Sequence, residues 1–174
     1  MAILEIRKYP DPVLRETARP ITAIDAKIRQ LAADMIETMR SANGVGLAAS
    51  QVGIPVRLAL VDFDPEKRDP RVLINPVIVK RFGRRELGEE GCLSFPDLRS
   101  QVKRSPRLLC QAQDLRGEEL EYEVEGLTAR AVQHELDHLD GLLFVDKVGP
   151  SDRQSLRHDL EEMEQAYAAL HPGG

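Results

Sequence analysis

The segment TARAVQHELDHLDG (128–141) contains His134-Glu135-Leu136-Asp137-His138, an H-E-x-x-H pattern. Its periodicity predicts a helix, with Thr128 as N-cap and Gly141 as the residue just past its end. Residues four apart differ by about 40° around a helix axis, so both imidazoles leave one face and can share one metal ion. Glu135 lies about 100° from His134, close enough to take a proton from water held by such an ion and pass it to a leaving group. Ala129, Val132, Leu136 and Leu139 form one apolar arc. The histidines lie nearly opposite it beside Leu127 and Ala131, while Arg130, Gln133, Asp137 and Asp140 share a polar edge. The helix is therefore expected to be buried on two sides. Chance is the ordinary alternative for so short a pattern, but two of the chain's four histidines fall within it.

Water-activating metal sites usually take three protein ligands and keep a position open. The extended metzincin pattern requires a third histidine six positions after His138, where this chain has Phe144, so that reading fails although Gly141 is in place. Glu161 or Glu162 lies at a workable separation, but both sit in an acid-rich amphipathic segment where a solvated face explains them. Cys92, in Glu90-Gly91-Cys92-Leu93-Ser94, has a flexible glycine beside it and a soft sulfur that suits iron or zinc. Its bland alternative is a small core residue. Cys110 alternates with Leu108 and Ala112 on a strand face and reads as core.

The segment GVGLAASQ (44–51) mimics a dinucleotide-binding fingerprint, which needs a strand, then a glycine loop, then a helix. Here the loop follows a helix and leads to a strand. A different use fits: backbone lying close to an extended peptide, with the Gln51 amide donating to a developing oxyanion. Upstream, Ile21, Ile24, Ile28, Leu31, Met35 and Met39 form a helical stripe, with Thr22 as N-cap and Asn43-Gly44 as a stop. Strands are expected at 56–63, at 72–80 broken by Pro76, from Val102 to Leu115, and at 120–124. LLFV (142–145) reads as strand-like. A final helix follows Pro150, with Ser151 and Gln154 as a capping box and a seam of Leu156, Leu160, Met163, Tyr167 and Leu170. This order is α+β, not alternating βαβ units.

The 174 residues suffice for one domain, and no repeat or long linker divides them. Net charge is −5, from 24 basic and 29 acidic residues, which argues against broad phosphate-backbone binding while leaving room for a local basic patch. Aromatic residues make up 4% with no Trp, so a base-stacking platform is not expected. Two cysteines make no disulfide framework. No stretch approaches the roughly 20 apolar residues of a bilayer span, and the N-terminus has no signal or transit character. The expected location is the cytoplasm.

Together, GVGLAASQ (44–51), EGCLS (90–94) and QHELDHLDG (133–141) resemble the three signature motifs of the peptide deformylase family, in order and in spacing. The resemblance runs from the Pro10–Arg15 opening to at least Val145. It implies an α+β fold, with a central helix bearing the histidine pair, mostly antiparallel β-sheets around it and a C-terminal helix at about 151–170, all within one catalytic domain over 1–174. It implies removal of the formyl group from N-formylmethionyl nascent polypeptides. Cys92, His134 and His138 would be the metal ligands, Glu135 the general acid/base, and Gln51 with the Leu93 N–H the oxyanion donors. The ion would be Fe(II), with Zn(II), Ni(II) or Co(II) able to replace it. Val45, Gly46, Leu127, Ala131 and Phe95 are expected at the substrate pocket, and Arg99 at the peptide backbone or a carboxylate. Phe95 departs from the Ile or Val more usual in the family. The expected partner is the formylated peptide, with no DNA and no membrane. The C-terminal segment, with Arg153 and Arg157 against five acids, is poorly charged for docking on ribosomal RNA. The rival reading is a zinc peptidase with Glu161 or Glu162 as third ligand.

Overall fold

A computed structural model describes residues 2–173. Helix α1 (Ala26–Ser41) is followed by strands β1 (Gly46–Ala48), β2 (Leu58–Asp62), β3 (Pro70–Phe82), β4 (Glu86–Cys92), β5 (Phe95–Arg104), β6 (Arg107–Gln113) and β7 (Glu119–Glu125), then by helices α2 (Gly126–Leu139) and α3 (Pro150–Leu170). Five strands form one antiparallel sheet in the order β1-β2-β3-β6-β7, and β4 and β5 form a separate hairpin. The expected α+β architecture, with its C-terminal helix, is the one observed.

Helix α2 joins the two sheets. Ala129, Val132 and Leu136 pack on Val61, Leu73, Leu108, Cys110, Ala112 and Val124 of the large sheet. Leu139 packs with Ala18, Ala48 and Ala59. Helix α1 covers the β1–β2 end through Leu31, Met35 and Met39 against Leu47, Leu58 and Leu60. Helix α3 covers the hairpin side, where Leu156 and Leu160 join Phe95, Leu98, Val102 and Phe144. Its seam is shorter than expected, and Leu170 is exposed.

Several boundaries differ from expectation for local reasons. Helix α1 starts at Ala26 because the Ile28 N–H donates to Asp25 at 3.0 Å, so Asp25, not Thr22, is the cap. Residues before it are drawn onto β3: the Ile21 N–H donates to Asn75 Oδ1 at 2.9 Å, and Asn75 Nδ2 donates back to the Ile21 carbonyl at 2.8 Å. Pro76 does not end β3. A register shift between Ile74 and Val77 absorbs it as a bulge. The expected strand from Val102 is two, separated at Ser105-Pro106. Segment 142–145 is not a strand: Phe144–Asp146 forms a 3-10 turn, with the Leu143 N–H donating to Asp146 at 2.8 Å. Helix α2 begins before Thr128, whose hydroxyl instead donates to the Phe63 carbonyl at 3.4 Å. Helix α3 starts on Pro150 with Gly149 as N-cap, so Ser151 makes no capping box.

Gly141 terminates α2 as expected, at φ +74°. A Cβ there would lie 2.4 Å from the Arg15 carbonyl oxygen. Gly141→Ala is therefore expected to destabilise the protein by at least about 2 kcal/mol, read from the midpoint of urea unfolding. An unchanged midpoint would contradict this packing.

Candidate metal centre and active site

Cys92 ends β4, and its pairing with Phe95 closes the hairpin through Leu93 and Ser94. Helix α2 presents His134 and His138 to it. Cys92 Sγ lies 3.4 Å from His138 Nε2, and one ligand atom from each of the three residues falls within 4.8 Å of the others. Three residues distant in the chain thus bring one soft sulfur and two imidazole nitrogens together, a donor set suited to a divalent transition metal. Glu161 and Glu162 lie on the exposed face of α3, bonded to Arg157 at 3.0 Å and His158 at 3.1 Å.

Glu90 organises the centre. Its Oε1 lies 2.9 Å from His134 Nδ1, which fixes the ring and leaves Nε2 for a ligand. Arg104 donates to both Glu90 oxygens at 2.8 and 3.0 Å, and Arg130 donates to Oε2 at 2.8 Å. Arg104 also reaches Asp137 at 2.5 Å, tying β4, β5 and α2 together. Burial opposes ionisation of Glu90, but its bonds to His134 and Arg104 outweigh this and hold its pKa at about 2. Glu90 stands two positions before Cys92, and local sequence alone assigns it no role. The available signal was strand alternation, which puts residues 90 and 92 on one face.

Glu135 is almost fully buried, with Oε2 lacking a partner among the described residues. Burial is the main cause that raises its pKa to about 7. Burial also acts against a charged His134, but contacts with Cys92 and Glu90 more than reverse this and raise it well above the ordinary imidazole range. His138 is held well below that range by burial and by the neighbouring His134 charge. Gly46 comes close to Glu135: a Cβ there would stand 2.8 Å from Glu135 Oε1. Gln51 is also oriented. Its Oε1 accepts from the Ala48 N–H at 2.9 Å, and its Nε2 approaches Ser94 Oγ at 3.1 Å and Cys92 Sγ at 3.5 Å.

These groups line a cavity of about 700 Å³. Val45, Gly46, Gln51, Cys92, Leu93, Phe95, Arg99, Leu127, Ala131, His134 and Glu135 all contribute to its wall, whereas His138 lies behind it. Leu127 is 80% exposed, so the histidine side of α2 is a cavity rim there and not a second buried face. Phe95 is fixed by stacking on Tyr9, with ring centroids 5.0 Å apart, and by an edge contact with Phe144 at 5.2 Å. Arg99 pairs with Glu89 at 3.2 Å beside the opening. Asp62, Asp97, Leu98, Thr128 and Arg130 also line the cavity, a placement the sequence did not suggest. Cys110 is buried, with its thiol raised to about 11 by that burial, in keeping with a core role.

A Cys/His/His group suited to a divalent cation, beside a buried carboxylate at a cavity, fits the class of metal-dependent hydrolases. Residues 3–154 match the family model described as polypeptide deformylase. A peptide deformylase of Alkalilimnicola ehrlichii is 50% identical over 164 residues, covering 94% of this chain and 92% of that protein. The crystal structure of a peptide deformylase from Legionella pneumophila superposes with a TM-score of 0.87 at 40% identity, covering 96% of this chain and 98% of the other. That of Arabidopsis thaliana peptide deformylase 1B, in complex with an inhibitor, gives 0.92 at 36% identity, with coverage of 97% and 94%. The chain belongs to the polypeptide deformylase family, enzymes that remove N-formyl groups from nascent peptides.

Two outcomes follow from the geometry. Gly46→Ala is expected to displace the Glu135 carboxylate and lower kcat by at least about tenfold with little change in thermal stability; unaltered kcat would contradict the close approach. Glu90 is depressed in the folded protein, so its contribution is full above its unfolded value near 4.5 and is lost as pH falls towards 2. Metal-free protein should lose stability on the order of 3 kcal/mol across that window. In urea titrations Glu90→Gln should flatten this dependence, and an equally steep decline in the variant would contradict it.

Proposed function

We propose that this chain hydrolyses the formamide bond of N-formylmethionyl nascent polypeptides, releasing formate, with Cys92, His134 and His138 holding one divalent cation. The observation that carries this reading is the meeting of that thiol and two imidazoles beside the buried Glu135 carboxylate, whose Oε2 has no hydrogen-bond partner among the described residues, with Cys92, His134 and Glu135 on the cavity wall. Fe(II) is the proposed physiological ion, and Zn(II), Ni(II) or Co(II) suit the same donors. When bound, the ion acidifies water and polarises the formyl carbonyl.

Glu135, with a pKa raised to about 7, is matched to exchange protons near neutral pH. It accepts a proton as water adds to the formyl carbon and returns it to the amine nitrogen as the C–N bond breaks. Gln51 Nε2 and the Leu93 N–H donate to the carbonyl oxygen as it becomes negative. The cavity lies between β1, the edge strand of the large sheet, and β4 of the hairpin, so an extended peptide can run between them with its backbone against Val45 and Gly46. Leu127, Ala131, Val45 and Phe95 form the apolar surface for methionine, and Arg99 meets the peptide beyond it. Helix α2 contributes Ala129, Val132 and Leu136 to the core of the large sheet and Leu139 to a cluster with Ala18, Ala48 and Ala59, which supports one catalytic domain over residues 1–174. A reducing cytoplasm suits a ligand thiolate that must stay unoxidised. Among the described residues, no helix is long and apolar enough to cross a membrane.

Glu135→Gln should retain metal by elemental analysis yet lose nearly all formate release from formyl-Met-Ala-Ser. Cys92→Ala should lose the metal. Gln51→Ala should lower kcat by about 10²–10³. Substantial turnover by the Glu135 variant, or full metal in the Cys92 variant, would contradict the assignment; full metal in the Cys92 variant is what a peptidase liganded by Glu161 or Glu162 would give.

A further inference from the structure

The N-terminal segment holds Gln51 and Ser94 in one frame. The Arg7 N–H donates to the Gln51 carbonyl at 2.7 Å, and the Tyr9 N–H donates to the Ser94 carbonyl at 3.0 Å. Residues 7 and 9 thus fasten the 3-10 turn Ala49–Val52 and the tip of the β4–β5 hairpin to one stretch of backbone. Tyr9 is steadied by its stacking on Phe95, and the Arg7 guanidinium rests against Gly53, where a Cβ would stand 3.0 Å from it. Gln51 and Ser94 are both buried, at 1% and 0% exposure.

Within this frame the two side chains meet. The last torsion of a glutamine has no sharp staggered preference, so a single contact does not set the plane of its amide. Gln51 has a contact at each end. Its Oε1 accepts from the Ala48 N–H at 2.9 Å, and its Nε2 donates to Ser94 Oγ at 3.1 Å. Nε2 carries two hydrogens. Ser94 takes one, and the other is left on the side of Cys92, whose Sγ stands 3.5 Å away. Among the described residues, the Ser94 hydroxyl makes no hydrogen bond besides this one. It caps no helix and bridges no strands, so its chemistry is spent on the Gln51 amide.

We propose that Ser94 is a positioning residue for the hydrolysis, its hydroxyl holding the Gln51 amide so that the second Nε2 hydrogen points to where negative charge develops on the formyl oxygen. The proposal deepens the hydrolytic reading and rests on it. Ser94 directly follows Leu93, so the same tie keeps the Leu93 N–H and Gln51 Nε2 at a fixed separation, two donors aimed at one oxygen. Donors held in advance lower the barrier because they need not turn as the charge appears. Ser94 is not on the cavity wall and makes no contact with a peptide there. Its removal is therefore expected in kcat and not in KM.

The test is a double-mutant cycle on formate release from formyl-Met-Ala-Ser by Ni(II)-loaded protein. Ser94→Ala should lower kcat at least about tenfold, with KM within about twofold of the parent. In the Gln51→Ala background the same change should cost less than about twofold, because no amide remains to be aimed. Ser94→Thr keeps the hydroxyl and should turn over faster than Ser94→Ala. Metal content, and the visible spectrum of Co(II)-loaded Ser94→Ala, which reports the thiolate, should match the parent. The proposal is overturned if Ser94→Ala keeps full kcat, if its loss persists undiminished without Gln51, or if Ser94→Thr is no faster than Ser94→Ala. Loss of fold or of metal in Ser94→Ala would overturn it too, by giving the hydroxyl a structural role. Unchanged kcat in Gln51→Ala would remove the oxyanion role of Gln51 from the hydrolytic reading and this proposal with it, whereas a slow Gln51→Ala beside a fully active Ser94→Ala overturns the positioning role alone.

Discussion

The buried carboxylate of Glu90 is the constraint on which the centre depends. One side chain accepts from Arg104 of β5, Arg130 of α2 and the His134 ring, with Arg104 extending to Asp137 one turn further along the helix. A buried ion cluster of this kind is weak evidence for net stability, because desolvation offsets much of the attraction. Its value here is geometric. The hairpin that contains Cys92 belongs to no larger sheet, and this lock fixes its register against α2 together with Arg130, which donates to the Val102 and Glu86 carbonyls, and Gln133, which bonds the Ser105 backbone. The same carboxylate that binds the arginines selects the imidazole tautomer facing the centre, so anchoring of the hairpin and orientation of a ligand are one interaction.

The second constraint is steric. Gly46 and Gly44 let β1 approach so closely that added methyl groups would press on Glu135 and on Leu93 respectively. A glycine-rich edge strand therefore does two things at once. It puts backbone on the cavity wall, and it closes one side of the space around the Glu135 carboxylate. Burial of the Glu135 carboxylate behind this strand raises its pKa towards neutrality.

Much of this was legible in the sequence because local patterns carry it. Helical spacing placed His134, Glu135 and His138 together, and Gly141 marked the helix end. The three motifs in order brought Cys92, Gln51 and Leu93 to the same site. What escaped depends on pairing between distant segments. Strand β4 contains two glycines and three glutamates, a composition that disfavours a strand until β5 and the two arginines hold it. Asn75 pulled residues near Ile21 out of the helical pattern through two hydrogen bonds that sequence periodicity does not register. Glu90 lay within a quoted motif, but its partners Arg104, Arg130 and His134 are 14 to 44 positions away.

In the proposed centre one sulfur and two imidazole nitrogens share a single cation. X-ray absorption at the zinc edge of zinc-loaded protein reads that shell. One sulfur at about 2.3 Å and two nitrogens at about 2.0–2.1 Å are expected, with the remaining position held by oxygen. A coordination shell of nitrogen and oxygen alone, with Cys92 still reduced, would contradict it.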